Sequence, residues 1–95
     1  MSEGFDPLIH APNRLKVCAL LEATSAMEFK AVKDHLEVSD SVLSKQIKQL
    51  EEVGYVIVEK RQQNGRVYTW LQLSTLGRSA FRGHVLALKQ IVGEM

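Results

Sequence analysis

Residues 29–73 read FKAVKDHLEVSDSVLSKQIKQLEEVGYVIVEKRQQNGRVYTWLQL, and their pattern predicts two helices followed by two strands. Apolar residues recur at helical spacing over about residues 28–36, and a second helix is expected to begin after Ser39 and to stop at Gly54. Two runs rich in strand-forming residues follow, joined by the strong hairpin signal Asn64-Gly65. The stretch is therefore predicted to form a helix, a sharp turn, a second helix and a hairpin.

The second helix of this pair has one apolar face and one polar, cationic face. Such a polar face is most often simply solvated. Here it follows a short helix and a break, and its residues lie near the helix N-terminus, where a helix inserted into the DNA major groove contacts base edges. Serine, glutamine and lysine can hydrogen-bond bases or phosphates. The predicted DNA contacts of this helix are Ser39, Ser41, Ser44, Lys45, Lys48 and Gln49.

The hairpin carries basic and amide side chains toward its tip, namely Lys60, Arg61, Asn64 and Arg66. The simplest alternative is a solvated hairpin with charged edges. Because a cationic helix comes directly before it, we favour a wing that binds backbone phosphates, with Arg66 also able to enter a minor groove. A two-stranded hairpin is marginal by itself, so it is expected to pack against the helices.

Length and charge set the limits of the chain, which has 95 residues and a net charge of +1. This length favours a single domain. Residues 1–40 carry four basic and seven acidic side chains, a net charge of −3. Residues 41–68 carry five basic and three acidic side chains, and residues 69–95 carry three basic and one acidic, so each of these two segments has a net charge of +2. No apolar run approaches the roughly 20 residues that span a bilayer, and the N-terminus lacks a secretory signal. A cytoplasmic location without a membrane partner is expected.

The single cysteine, Cys18, lies in an apolar helical pattern and is expected to be a small buried core residue, with an exposed redox-sensing thiol as the alternative. The three histidines stand far apart in the sequence, so no metal site and no cofactor are expected. There is no nucleophile elbow, no phosphate-cradling glycine loop and no paired-carboxylate arrangement. An enzyme is therefore not expected.

Two further helices are expected to frame the central stretch. Asn13 is predicted to cap a helix that runs to about Ala23, and Ser74 to cap a C-terminal helix of about 18 residues. The apolar positions of the C-terminal helix form two adjoining sets, with His84 between them. One apolar set is enough to close the core of so small a domain, so the other set predicts packing against a helix of a partner chain. The alternative is that both sets are buried within one chain. The predicted dimerisation residues are Phe5, Leu8, Ile9, Phe81, Val85, Leu88 and Val92.

An ordered series of short motifs resembles that of MarR-type winged-helix transcriptional regulators. The motifs are Val38-Ser39, Leu43-Ser44, Leu50-Glu51, Gly54-Tyr55-Val56, Gly65-Arg66, Leu73-Ser74 and Gly77-Arg78. Asn13-Arg14-Leu15, Trp70-Leu71 and the run from Leu73 to Gly77 are similar to those of the small stand-alone winged-helix regulators. The resemblance covers about residues 13–78 and implies a dimer on operator DNA, with the third helix in the major groove and the hairpin as wing. The chain departs from the pattern at Gly65, where MarR-type wings often carry an acidic residue.

The expected fold class is therefore mainly α with a small β-hairpin (α+β), a winged helix-turn-helix with a three-helix core, a two-stranded wing and a long C-terminal helix. One domain spans residues 1–95, with a core at 13–78 and dimerisation elements at 5–12 and 75–93. The expected function is that of a sequence-specific, homodimeric transcriptional regulator that binds double-stranded DNA at a near-palindromic operator, with half-sites about 10 bp apart. The alternative is a winged-helix module that binds other proteins.

Overall fold

The computed structural model describes residues 4–93, which contain five helices and three strands. The elements are α1 (Pro7–His10), α2 (Pro12–Glu22), β1 (Met27–Glu28), α3 (Phe29–Leu36), α4 (Asp40–Glu52), β2 (Val56–Gln63), β3 (Arg66–Leu73) and α5 (Thr75–Val92). The strands form one antiparallel sheet in the order β1-β3-β2. This architecture confirms the predicted winged-helix fold class.

Two features differ from the sequence prediction. The residues Met27 and Glu28 form a two-residue strand that pairs with Leu71 and Trp70, so α3 begins at Phe29. The prediction that Asn13 caps the first long helix is wrong, because α2 begins at Pro12, two residues earlier than a helix capped by Asn13 would, and Ala11 occupies the cap position without a side-chain hydrogen bond. Proline at the first helical position replaces the cap, since its fixed φ is already helical and it has no N–H to satisfy.

The hydrophobic core is formed by all five helices and the sheet around a central set of fully buried side chains. These include Ile9, Val17, Leu21, Val32, Leu43, Leu50 and Leu71. The predicted core position of Cys18 is confirmed, since its side chain is fully buried. Burial, and secondly the negative charge of Asp6, raise the pKa of the Cys18 thiol to about 12. The thiolate that redox chemistry needs is therefore strongly disfavoured.

The start of α5 is fixed against the turn between α4 and β2. As predicted, Ser74 caps the helix, and its Oγ accepts a hydrogen bond from the Gly77 amide at 2.9 Å. The Ser74 amide donates to the Tyr55 carbonyl oxygen at 2.9 Å. This closeness leaves no room for a side chain at Gly77, where a Cβ would lie 2.1 Å from the Tyr55 oxygen.

A polar clamp joins the end of α2 to α5. The Arg78 guanidinium donates to the carbonyl oxygens of Glu22 and Thr24, and it also pairs with the Glu22 carboxylate at 2.7 Å. Arg82 contacts the second Glu22 oxygen, also at 2.7 Å. The Arg82 hydrogen bond is the largest of the effects that lower the pKa of Glu22. Arg78 therefore satisfies helix-end carbonyls that would otherwise lack partners.

No helix of the described part is long and apolar enough to cross a membrane.

Candidate nucleic-acid interface

The turn between α3 and α4 is fixed by backbone conformation and charge. Glu37 adopts a left-handed conformation, with φ of 56°, and its amide donates to the Lys33 carbonyl at 2.9 Å, which ends α3. Ser39 caps α4, as predicted, by accepting from the Val42 amide at 3.2 Å. An ion pair of 2.8 Å between Lys33 and Asp40 spans the turn. These contacts set the angle at which α4 leaves α3.

The outer face of α4 is open to solvent and rich in donors. Its apolar face, formed by Leu43, Ile47 and Leu50, is buried in the core. The opposite side chains Ser41, Ser44, Lys45 and Lys48 are all exposed. Within residues 4–93, no carboxylate lies within ion-pair distance of either lysine. The two positive charges are thus available to an external anion such as a phosphate.

Gln49 lies at the margin of this face and is half-buried. Its Oε1 accepts a hydrogen bond from Nη1 of Arg14 at 2.5 Å. Pairing with adenine uses both the oxygen and the amide nitrogen of a glutamine side chain. In this conformation Arg14 occupies one of the two lone pairs of that oxygen, so a base that pairs with Gln49 would share Oε1 with Arg14.

The wing has the predicted hairpin turn. Gln63 pairs with Arg66, and the two residues between them have positive φ, 52° at Asn64 and 76° at Gly65. Two left-handed residues in a two-residue loop define a type I′ turn, whose twist matches that of the strands. Both Asn64 and Arg66 are exposed at the tip. In the described chain, Arg66 makes no ion pair.

The two basic residues of β2 have different surroundings. The Nζ of Lys60 donates to Oγ1 of Thr69 across the hairpin at 2.8 Å. The side chain of Arg61 is paired with Glu59 at 2.7 Å, and its guanidinium stacks on Trp70, 4.6 Å from the ring centroid. Neighbouring residues of a strand point to opposite faces. Lys60 therefore faces α4, whereas Arg61 lies on the far face with its charge partly balanced.

An open groove of about 460 Å³ separates α4 from the wing. Its lining includes Ser44 and Lys48 from the helix and Lys60 and Thr69 from the hairpin, above a floor of apolar side chains. The structure thus brings predicted contact residues of the helix and the wing to one groove, although they are up to 16 positions apart in the sequence.

The predicted dimerisation residues lie at different depths. Ile9 is fully buried and Phe81 is only 9% exposed, so both belong mainly to the protomer core. The side chains of Leu8, Val85 and Leu88 are half-buried, whereas Phe5 and Val92 are exposed. Sequence reasoning did not select Leu86 and Ile91, which are 61% and 58% exposed on α5. Ile91 lies in the apolar helical pattern of α5, which is the signal that could have identified it, whereas Leu86 lies among Arg82, Lys89 and Gln90, outside that pattern.

A polar cluster ties the N-terminal segment to α5. The Asp6 amide donates to Nδ1 of His84 at 3.0 Å, so the proton of neutral His84 is on Nε2, 3.3 Å from Nδ1 of His10. The Tyr55 hydroxyl donates to the Asp6 carboxylate at 2.6 Å. The Phe5 ring packs 4.9 Å from both imidazoles. Burial, followed by the nearby His10, lowers the pKa of His84.

The fold and the exposed donor face of α4 define the class of protein as a winged helix-turn-helix. A family model described as a winged helix DNA-binding domain matches residues 13–92, and the chain belongs to this family. Over 78 residues the chain is 35% identical to the uncharacterized protein MJ0432 of Methanocaldococcus jannaschii, a match that covers 82% of this chain and 85% of that protein.

Several solved structures share the fold. A transcriptional regulator homologue from Pyrococcus horikoshii has a TM-score of 0.85 at 21% identity, with 90% of this chain and 84% of that chain covered. YusO from Bacillus subtilis has a TM-score of 0.81 at 21% identity, with 96% and 64% covered. PcaV from Streptomyces coelicolor, solved with its natural ligand, has a TM-score of 0.78 at 17% identity, and the match covers 93% of this chain and 61% of the PcaV chain. The chain thus spans less than two thirds of the YusO and PcaV chains. The shared fold agrees with the resemblance to MarR-type regulators.

Proposed function

We propose that this protein is a sequence-specific transcriptional regulator that binds double-stranded DNA as a homodimer. In the proposed complex, α4 enters the major groove and the wing contacts the backbone or the minor groove. The observation that carries the proposal is the exposed face of α4, which presents serines and two lysines that make no ion pair within residues 4–93, beside a basic hairpin. A protein with this role acts in the cytoplasm and needs no catalytic centre.

Different residues of the interface have different expected tasks. The side chains of Ser41 and Ser44 are short, so the helix backbone can come close to the bases. A serine hydroxyl can form hydrogen bonds with several kinds of base edge, so both residues are suited to reading the DNA sequence. Lys45 and Lys48 can reach guanine edges or phosphates. At the wing tip, Arg66 is exposed and without an ion pair in residues 4–93, whereas Arg61 is held by Glu59 and Trp70. We therefore expect Arg66 to contribute more to DNA affinity than Arg61.

The second half of α5 supports the homodimer. Its side chains Leu86, Ile91 and Val92 are between 58% and 64% exposed. At about 100° per residue these side chains point to different sides of the helix end, so more than one side of it carries exposed apolar surface of the kind that a partner covers. A second copy with the same exposed helix end would cover it through a two-fold interface. Two recognition helices related in this way would bind half-sites about one helical turn apart, which requires a near-palindromic operator.

A winged helix can instead bind another protein through the same surface. In that case the outer face of α4 should be acidic or apolar, whereas it presents Lys45 and Lys48. Binding to DNA through phosphates weakens steeply as salt rises, because bound cations are released from the backbone. Salt dependence together with sequence selectivity therefore separates the two functions.

The experiment that tests the proposal is selection of bound sequences from a random duplex pool at low and near-physiological salt. Recovery of an inverted repeat with half-sites about 10 bp apart would support a dimeric, sequence-specific regulator. If no motif is recovered and binding disappears as salt rises, the proposal of operator binding is wrong. That outcome would leave either a non-specific DNA binder or a winged helix whose partner is a protein.

A further inference from the structure

Arg14 occupies a position between the N-terminal segment and the recognition helix. Its Nε donates to the Leu8 carbonyl oxygen at 2.5 Å. Its Nη1 donates to Oε1 of Gln46 at 2.8 Å and to Oε1 of Gln49 at 2.5 Å. One guanidinium therefore joins α1, α2 and α4, and its plane and direction are fixed by three acceptors on two sides.

All three acceptors of Arg14 are neutral oxygens. In the part of the chain that the structure describes, no carboxylate lies within ion-pair distance of this guanidinium. The remaining nitrogen, Nη2, makes no hydrogen bond within residues 4–93, and it is not a buried, unsatisfied atom. Arg14 thus keeps its full positive charge and two N–H donors that solvent can reach. These are the groups that bind a phosphate oxygen.

The place of Arg14 beside α4 suits such a contact. The groove toward the wing is lined by Ser44, Lys48 and Glu51, which mark one margin of the exposed helix face. Gln46 and Gln49 mark the opposite margin, and Arg14 lies there. A helix with its side chains is about 10–12 Å wide and the major groove about 12 Å, so groups at the two margins lie near the two phosphate backbones.

We propose that Arg14 binds a backbone phosphate on the side of the recognition helix opposite the wing, while it positions α4 through Gln46 and Gln49. The contact would set the register of the helix in the groove, as phosphate contacts generally do. The inference rests on the proposed DNA binding and adds a residue that lies outside the helix-turn-helix and the wing. Because the guanidinium is already ordered, little side-chain entropy is lost when phosphate binds.

The test is the salt dependence of operator affinity for wild type, Arg14→Met and Arg14→Lys, between about 50 and 200 mM salt. We expect Arg14→Met to bind about tenfold more weakly at low salt, because a charge-assisted hydrogen bond is lost. The slope of log affinity against log salt should fall by about 0.9 for each protomer bound. Arg14→Lys should keep the salt slope, because the positive charge remains. It should lose affinity, because an ammonium group lacks the planar set of N–H donors of a guanidinium.

A purely positioning role would lower the affinity of Arg14→Met and leave its salt slope at the wild-type value, and that result would overturn the phosphate contact. Lys16→Met is the matched control, because Lys16 is exposed on the same helix and lines a groove on the α3 side. Its slope should equal that of wild type. If wild-type protein selects no operator, the proposed function itself fails. An operator bound with an unchanged slope in Arg14→Met refutes only the role of Arg14.

A second measurement uses unaltered protein, in case Arg14→Met does not fold. Operators that carry one neutral methylphosphonate at a time report which phosphates the wild type needs. We expect affinity losses on both edges of the major groove that α4 enters, one edge for the wing and one for Arg14. Losses confined to the wing edge would refute the proposal.

Discussion

At the scale of single residues, His84 illustrates how burial selects a protonation state. The side chain is fully enclosed, and its Nδ1 is committed to accepting the Asp6 amide. The groups that face it are His10 and Asp6 from the N-terminal segment, with Tyr55 behind Asp6. Burial and His10 lower the pKa of His84, while the charge of Asp6 opposes them. A second proton on the ring would disrupt the Asp6 contact.

The lowered pKa of His84 makes stability depend on pH with a defined sign. In the unfolded chain the pKa is about 6.5, so as pH falls the unfolded state binds the proton first and gains relative stability. The contribution of neutral His84 to folding stability is fully present at pH values above the unfolded-state pKa and decreases as the pH falls below it. We expect the thermal midpoint to fall between about pH 7.5 and 5.5.

Two variants isolate the effect of His84. In His84→Gln the amide oxygen can still accept from Asp6, and the fall in midpoint over this pH range should become smaller. His35→Gln alters an exposed histidine on α3 and should keep the wild-type pH dependence. Equal pH dependence in His84→Gln and wild type would show that His84 is not the responsible group.

Gly77 and Gly83 form a matched pair within α5. A Cβ at Gly77 would lie 2.1 Å from the Tyr55 carbonyl oxygen, whereas at Gly83 the nearest heavy atom is 3.8 Å away. We expect Gly77→Ala to destabilise the protein by about 1–3 kcal/mol, because backbone must move. Gly83→Ala should stabilise it by up to about 1 kcal/mol through helix propensity. Denaturant unfolding measures both, and equal effects would contradict the close contact at Gly77.

At the scale of elements, the two faces of α4 have different roles: the inner face packs in the core, and the outer face is proposed to bind DNA. The inner face is fixed by burial, so substitutions on the outer face are expected to change binding without changing the fold. The double variant Lys45→Ala/Lys48→Ala should weaken operator binding by about 10- to 100-fold, as two phosphate or base contacts are lost. Gel-shift titration measures the affinity.

The control for these lysines is Lys16→Ala, which removes an exposed lysine from α2 and should leave affinity nearly unchanged. Thermal unfolding should show all these variants to be as stable as wild type. Unchanged affinity in the double variant would remove α4 as the DNA-reading helix.

The second half of α5 carries the prediction on assembly. Leu86→Asp replaces an exposed apolar side chain of this half of the helix with a charge and should convert the dimer to monomers, which sedimentation velocity detects. Leu76→Asp is the matched control, because Leu76 is 57% exposed in the same helix but lies about 15 Å away along its axis. Its dimer should persist. A wild-type protein that sediments as a monomer at micromolar concentration would refute the dimer.

At the scale of the whole molecule, the described chain is elongated, with extents of 50 × 25 × 23 Å and a radius of gyration of 14.0 Å. A compact domain of this length has a radius of gyration of about 12 Å. The difference is consistent with elements that extend beyond the core, since the residues from Glu59 to Val67 in the hairpin are exposed, as is the end of α5. These are the elements for which the proposed function requires external partners, DNA and a second copy.

Much of the fold was predictable because its signals are local. The apolar spacing of α4, the cap at Ser39 and the Asn64-Gly65 turn each depend on residues a few positions apart, and the structure confirms all three. Short-range sterics and hydrogen bonds determine them before any tertiary contact forms. The strand β1 could not be predicted, since two residues are too few to show a period and pairing with β3 alone defines it.

The sequence by itself determined the order of the long helices and of the hairpin strands, the cationic face of α4 and the core position of Cys18. Only the tertiary structure decided which polar groups meet. It placed Arg14 against Gln49, 35 positions away, and His84 against Asp6, 78 positions away. It also enclosed Ile9 and left Leu86 exposed. The physical reason is that a helical pattern specifies which residues share a face, whereas the packing of several elements specifies what that face contacts.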